Sequence, residues 1–119
     1  MFSTDLSMCA CDGHVVVTLR GELDLIDAAY VAATLAALAD RQPAIVVDLT
    51  GLEFIDCSGV KALARGRRQA RRAGGDLVLA GPQPQVMRLL MSTALAFGFS
   101  VYATAEEAVS SIARTRRLE

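Results

Sequence analysis

Strand-like and helix-like text alternate along this chain, and that alternation leaves few folds open. Leu6 to Cys11 reads as a short first strand, and Cys11-Asp12-Gly13-His14 carries an Asp-Gly turn signal. His14 to Arg20 (HVVVTLR) is a β-branched strand that Gly21-Glu22-Leu23-Asp24 leaves. Asp27 is placed to N-cap an Ala-rich helix from Ala28 to Asp40, with Val31, Leu35 and Leu38 on one stripe, and Pro43 stops it. Ala44 to Leu49 reads as a buried strand. A second helix runs from about Gly59 to Ala73, where Gly74-Gly75 ends it. Asp76 to Ala80 is another strand. After Pro82 and Pro84, Val86, Leu89, Leu90 and Thr93 mark a third helix ending near Gly98. Phe99 to Tyr102 is the last strand, and Thr104-Ala105-Glu106-Glu107 is a capping box opening a terminal helix. The order ββαβαβαβα predicts an α/β fold, a mixed and mostly parallel sheet whose right-handed crossovers place helices over it.

A length of 119 residues predicts one domain, 1–119. With 53% hydrophobic residues and a mean hydropathy of +0.39, the chain can bury a core. Aromatics are scarce and Trp is absent, so Ala, Leu, Val and Ile must build it. No apolar run reaches the length of a membrane span, and Met1-Phe2-Ser3-Thr4-Asp5 lacks a basic signal-peptide start. Cys9, Cys11 and Cys57 are odd in number, which with no export signal predicts reduced thiols in a cytoplasm. The small net charge hides a split. Residues 1–60 hold nine acids and two bases, and residues 61–119 hold ten bases and four acids. That division either patterns the surface for a charged partner or is neutralised when the halves fold together.

The segment Leu52-Glu53-Phe54-Ile55-Asp56-Cys57-Ser58-Gly59-Val60 carries the most chemistry. It reads as a short loop after the apolar strand, delivering an acid, a thiol and a hydroxyl before an arginine-rich helix. Ser58 admits two compatible readings. One is a helix N-cap. The other is a phosphoacceptor among free backbone N–H groups that welcome negative charge. A nucleophilic role for Ser58 or Cys57 would need an activating base, and the sequence does not position its single histidine, His14; nor is there a Gly-x-Ser-x-Gly elbow. Cys9-Ala10-Cys11 is one residue short of the usual metal spacing, so no metal and no cofactor is expected, and the pair reads as small apolar fillers on one strand face. In the basic run, Lys61, Arg65, Arg68 and Arg72 fall on one helical stripe. An acidic sequence pI near 5.8 and few aromatics argue against nucleic acid. The stripe is either a solvated face or a protein-docking face beside Ser58.

Gly21-Glu22-Leu23-Asp24, VVDLTGLEFIDCSGV at 46–60 and ATAEEAV at 103–109 resemble the STAS-domain family, and within it the bacterial anti-sigma factor antagonists. The likeness runs from the first strand to the terminal helix. Members commonly carry Asp-Ser-Ser-Gly or Asp-Ser-Thr-Gly at the loop; here Cys57 replaces the first hydroxyl while Ser58 holds the modified position. The resemblance implies a non-enzymatic partner switch. The unmodified antagonist binds an anti-sigma factor that is also a protein kinase, and so frees a sigma factor. Phosphorylation at Ser58 releases the antagonist, and a metal-dependent phosphatase reverses the mark. It places Asp24 and Asp56 near the hydroxyl, and Asp24, Asp56, Cys57, Ser58, Gly59, Lys61, Arg65 and Arg68 at the partner surface. The carboxylates would repel a phosphate, so the mark should be read by altered affinity rather than added stability. The alternative is a STAS subunit or scaffold of a transport or stress-signalling complex.

Overall fold

Gly13 turns the chain back with φ +77°, and the hairpin it closes pairs β1 (Thr4–Cys11) antiparallel to β2 (His14–Leu23), with Cys11 opposite His14. The structure is a computed structural model describing residues 4–118, with backbone alone for residues 94–97 and 114–118. The expectation about Met1-Phe2-Ser3 therefore lies outside the described residues. From β2 onward every added strand is parallel to its neighbour: β3 (Ala44–Ile55), β4 (Asp76–Ala80) and β5 (Val101–Tyr102) extend the sheet in chain order. The connecting helices are α1 (Leu25–Arg41), α2 (Cys57–Arg72) and α3 (Pro84–Phe97), and α4 (Ala105–Leu118) follows β5. The expected order ββαβαβαβα holds.

A sheet that grows steadily in one direction through right-handed crossovers must place all its crossover helices on one face. The packing shows this. Val31 and Leu35 of α1, Val60 and Leu63 of α2, and Val86 and Leu90 of α3 join Val15, Val17, Leu19, Ile45, Val47, Leu49, Leu77 and Leu79 in one large core. The terminal α4 covers the opposite face. Its Ala108 and Ile112 sit with Ala44, Val46, Val78 and Ala80 in a smaller cluster. Among the described residues Phe99 is the one aromatic classed as buried, and Tyr102 packs against the smaller cluster. Among the described residues no helix is long and apolar enough to cross a membrane.

Three local expectations change. β3 does not end at Leu49. Its register against β2 shifts twice, because each shift fits an extra β3 residue into the ladder, so Ile45–Ile55 runs along the shorter Val15–Leu23. The residues after Leu49, read as a loop, thus continue the strand through bulges. Gln83 Nε2 donates to the Thr50 carbonyl at 2.9 Å and Gln85 Nε2 to that of Glu53 at 2.8 Å, which satisfies backbone freed by the bulges. Gly21-Glu22-Leu23 likewise belongs to β2. Second, Asp27 is not the cap of α1. Asp24 is, accepting from the Ile26 N–H at 3.0 Å. Asp27 lies one turn inside, fully buried, and accepts the Thr4 N–H at 2.7 Å, tying the start of β1 to α1. Third, Cys9 and Cys11 are exposed, not fillers. They lie on the sheet-edge strand, on the face that α4 covers only further along, over β3 and β4.

β4 spans the residues read from the sequence, and the Thr104 cap holds, its Oγ1 accepting the Glu107 N–H at 3.1 Å. Asp76, at the start of β4, takes Arg67 at 3.3 Å and Arg71 at 3.5 Å. All three belong to the basic half of the chain, so this cluster does not draw the two charge halves together.

Candidate functional site

β2 and β3 end in register, Leu23 opposite Ile55, and the Asp56 N–H adds one more rung by donating to the Leu23 carbonyl at 3.2 Å. The next residue on each strand is an aspartate that caps a helix. Asp24 starts α1, and Asp56 starts α2 with its Oδ1 accepting the Gly59 N–H at 3.0 Å. Two helix N-termini therefore stand side by side at the carboxyl end of adjacent parallel strands, where open α/β sheets present ligand-facing loops. Because Asp56 takes the cap, the N-cap reading of Ser58 is overturned. Cys57 and Ser58 occupy the first turn of α2 itself, Cys57 exposed and Ser58 half-buried.

Gly59 explains how close this turn lies to the sheet. A Cβ there would stand 2.6 Å from Ile55 Cγ1 and 2.8 Å from the Leu23 carbonyl oxygen. Only a hydrogen fits between α2 and the two strand ends. One helical repeat further, Gly66 meets Leu35 of α1 as tightly, at 2.8 Å from its Cβ, so α1 and α2 pack at short distance. Between them runs a shallow groove of about 290 Å³ lined by Ala28, Ala29, Ala32 and Ala62 and by Ser58, Lys61, Arg65 and Arg68. Lys61, Arg65, Arg68 and Arg72 are exposed, and none has an ion-pair partner among the described residues, unlike Arg67 and Arg71 on the same helix.

The sequence reading did not identify the apolar residues around this end. Leu25 is 74% exposed, Ile26 69% and Phe54 46%, and Tyr30 is also open. Leu25 lies in line with Ala29 and Ala32, four and seven residues on, so it stands at the Ser58 end of the groove. Ile26 and Tyr30 lie on the side of α1 away from Val31 and Leu35. Their signal was present in Leu25-Ile26, two apolar residues placed ahead of a helix thought to start at Ala28. Once Asp24 is the cap, both fall on the helix and outside its buried stripe. Such clustered exposed apolar residues commonly mark contact surfaces.

His14 starts β2 at the far end, roughly 30 Å from Ser58 at about 3.3 Å per residue, so it is not brought to either Ser58 or Cys57. Among the described residues no three His, Cys, Asp or Glu side chains are grouped to hold a metal ion.

Comparison with known proteins places this architecture. The profile of the STAS domain matches residues 7–108. The anti-sigma-F factor antagonist RsfA of Mycobacterium tuberculosis is 32% identical over 104 residues, covering 84% of this chain and 80% of that protein. The crystal structure of an anti-sigma factor antagonist from Mycobacterium paratuberculosis superposes with a TM-score of 0.78 at 28% identity, over 92% of this chain and 94% of that one. The Bacillus cell-fate determinant SpoIIAA, solved in its phosphorylated form, superposes with a TM-score of 0.65 at 27% identity, over 92% and 98%.

Proposed function

The chain belongs to the STAS domain family, and from that premise we propose that it is an anti-sigma factor antagonist switched by phosphorylation of Ser58. In its unmodified form it binds an anti-sigma factor with protein kinase activity and so frees a sigma factor. That kinase, supplying ATP and magnesium, phosphorylates Ser58 and the complex parts; a metal-dependent phosphatase restores the unmodified state. The relatives named as anti-sigma factor antagonists support the first half of this reading, and a related fold solved in a phosphorylated form supports the second.

The observation that carries the proposal is the setting of Ser58. This half-buried residue lies on the first turn of α2 and lines a groove, at the end of the sheet where Phe54 comes near the close of β3 and Leu25 and Ile26 open α1, all three exposed. Asp24, Asp56, Cys57, Gly59, Lys61, Arg65 and Arg68 share this end or the helix leading from it. A partner covering the apolar residues would also desolvate Ser58. A phosphate there brings nearly two negative charges, and stripping the water from such a charge in a dry interface costs several kcal/mol. Each 1.4 kcal/mol or so lowers affinity tenfold.

The test is calorimetric titration of the anti-sigma factor with Ser58→Ala and Ser58→Glu proteins, together with mass spectrometric mapping of the kinase mark. The alanine variant should bind like the unmodified chain and the glutamate variant at least about tenfold more weakly. The mark should fall on Ser58, on the first turn of α2, rather than on Ser92, Thr93, Ser110 or Ser111, which lie beyond the first turns of α3 and α4. Equal affinity for both variants, or stoichiometric labelling that leaves Ser58 bare, would defeat the proposal.

A further inference from the structure

We propose that Lys61 and Arg65 form an intramolecular clamp for a phosphate on Ser58, so that modification silences the basic stripe of α2 as well as adding charge beside it. The inference deepens the function proposed above and rests on Ser58 being the modified hydroxyl.

Three observations carry it. Ser58, Lys61 and Arg65 line one groove, whose opposite wall is Ala28, Ala29 and Ala32 of α1; no acid of α1 lines it. Lys61 and Arg65 have no ion-pair partner among the described residues, whereas Arg67 and Arg71 are held by Asp76. The helix also points the right way. Lys61 and Arg65 follow Ser58 by three and seven residues, about 4.5 and 10.5 Å along the axis and about 60° and 20° around it. Side chains on an α-helix lean toward its N-terminus, so both stems lean toward Ser58. The phosphate extends the serine to meet them.

The charged groups at this end compete. Asp56 is engaged at the Gly59 N–H and Asp24 at the Ile26 N–H, while Asp27 is buried within α1. Glu22 and Glu53 are exposed on β2 and β3, and Arg68 lies beyond Arg65 in the groove. Acids push the second ionisation of a phosphoserine above its ordinary value near 6, and cations pull it below. The direction of that shift therefore reports whether the clamp closes. Closure leaves two fewer free cations for an acidic partner, so the phosphorylated chain loses attraction along the stripe and not only at the serine.

The experiment uses the full chain with phosphoserine installed at position 58 by genetic encoding, without any kinase. Phosphorus NMR follows the phosphate from roughly pH 4 to 8, across its second ionisation. Three proteins are compared at low salt: the otherwise wild-type chain, the Lys61→Gln, Arg65→Gln double variant, and an Arg88→Gln control on the exposed surface of α3. The wild-type and control proteins should titrate about one unit below the double variant. Circular dichroism verifies that all three are folded. Equal values in the wild type and the double variant, or a wild-type value above that of free phosphoserine, would overturn the clamp. Failure of the kinase to label Ser58 would instead defeat the proposed function and leave this titration unchanged.

Discussion

Gly59→Ala tests how tightly α2 is seated on the strand ends. The new Cβ would stand 2.6 Å from Ile55 Cγ1, 2.8 Å from the Leu23 carbonyl oxygen and 2.9 Å from Leu23 Cγ, against ordinary contacts of 3.4–4 Å. The carbonyl cannot swing aside cheaply, because it accepts the Asp56 N–H. Relief must come from lifting the start of α2, which loosens Val60 and Leu63 in the core. Overpacking of this kind costs about 1–3 kcal/mol, and the better helix propensity of alanine returns at most about 1 kcal/mol. The net loss is about 1–2 kcal/mol. With a urea slope of about 1–3 kcal/mol per molar, the unfolding midpoint falls by roughly 1 M, and amide chemical shifts move most at Leu23, Ile55 and the first turn of α2. Gly74→Ala is the contrast. Nothing lies within 4 Å there, but φ is +93°, so it costs about 1–2 kcal/mol through backbone strain alone and leaves the Leu23 and Ile55 shifts in place. An unchanged or raised midpoint for Gly59→Ala would refute the reasoning.

Other substitutions probe other links. Asp56→Ala removes the cap of α2 and should cost about 1 kcal/mol in thermal or urea unfolding, with Asp56→Asn restoring most of it. Asp27→Ala leaves the Thr4 N–H without its acceptor and should cost about 1–3 kcal/mol, with faster hydrogen exchange at Thr4 than at the β2 amides. Reversing Arg65 and Arg68 to Glu should slow association with the anti-sigma factor in stopped flow and change its salt dependence, since exposed charges steer encounter; the wild type should bind duplex DNA no more than weakly and salt-sensitively. Ile112→Ala, in the core under α4, should lower stability by about 2–5 kcal/mol and leave affinity for the partner within about twofold of wild type.

What the sequence disclosed, and what it hid, follows from the range of each interaction. β4 and the Thr104 cap were legible because composition and capping are local. The choice between Asp24 and Asp27 as cap was not, since both precede apolar helical text. It is decided by Thr4, more than twenty residues away, which needs Asp27 as its acceptor. β3 was cut short at Leu49 because a bulge and a loop look alike until the partner strand and the glutamines Gln83 and Gln85 at the start of α3 are in place. The exposure of Cys9 and Cys11 depends on strand order, which periodicity does not encode. The shared face of Lys61, Arg65 and Arg68 was visible from spacing alone. The alanine wall opposite it was not, because Gly66 sets the approach of α1 and α2 only through a tertiary contact with Leu35.

The separation of the two cores by the sheet has a consequence for how such a chain can diverge. The residues around Ser58 rest on the large core under α1, α2 and α3, while the cluster beneath α4 lies behind the sheet. Changes behind the sheet can raise or drain stability with little displacement of the groove. Losses incurred while the exposed face is altered to suit a different partner can then be made good from the rear. A lineage of such proteins can thus keep one scaffold while its recognition surface drifts, each face answering to its own selection.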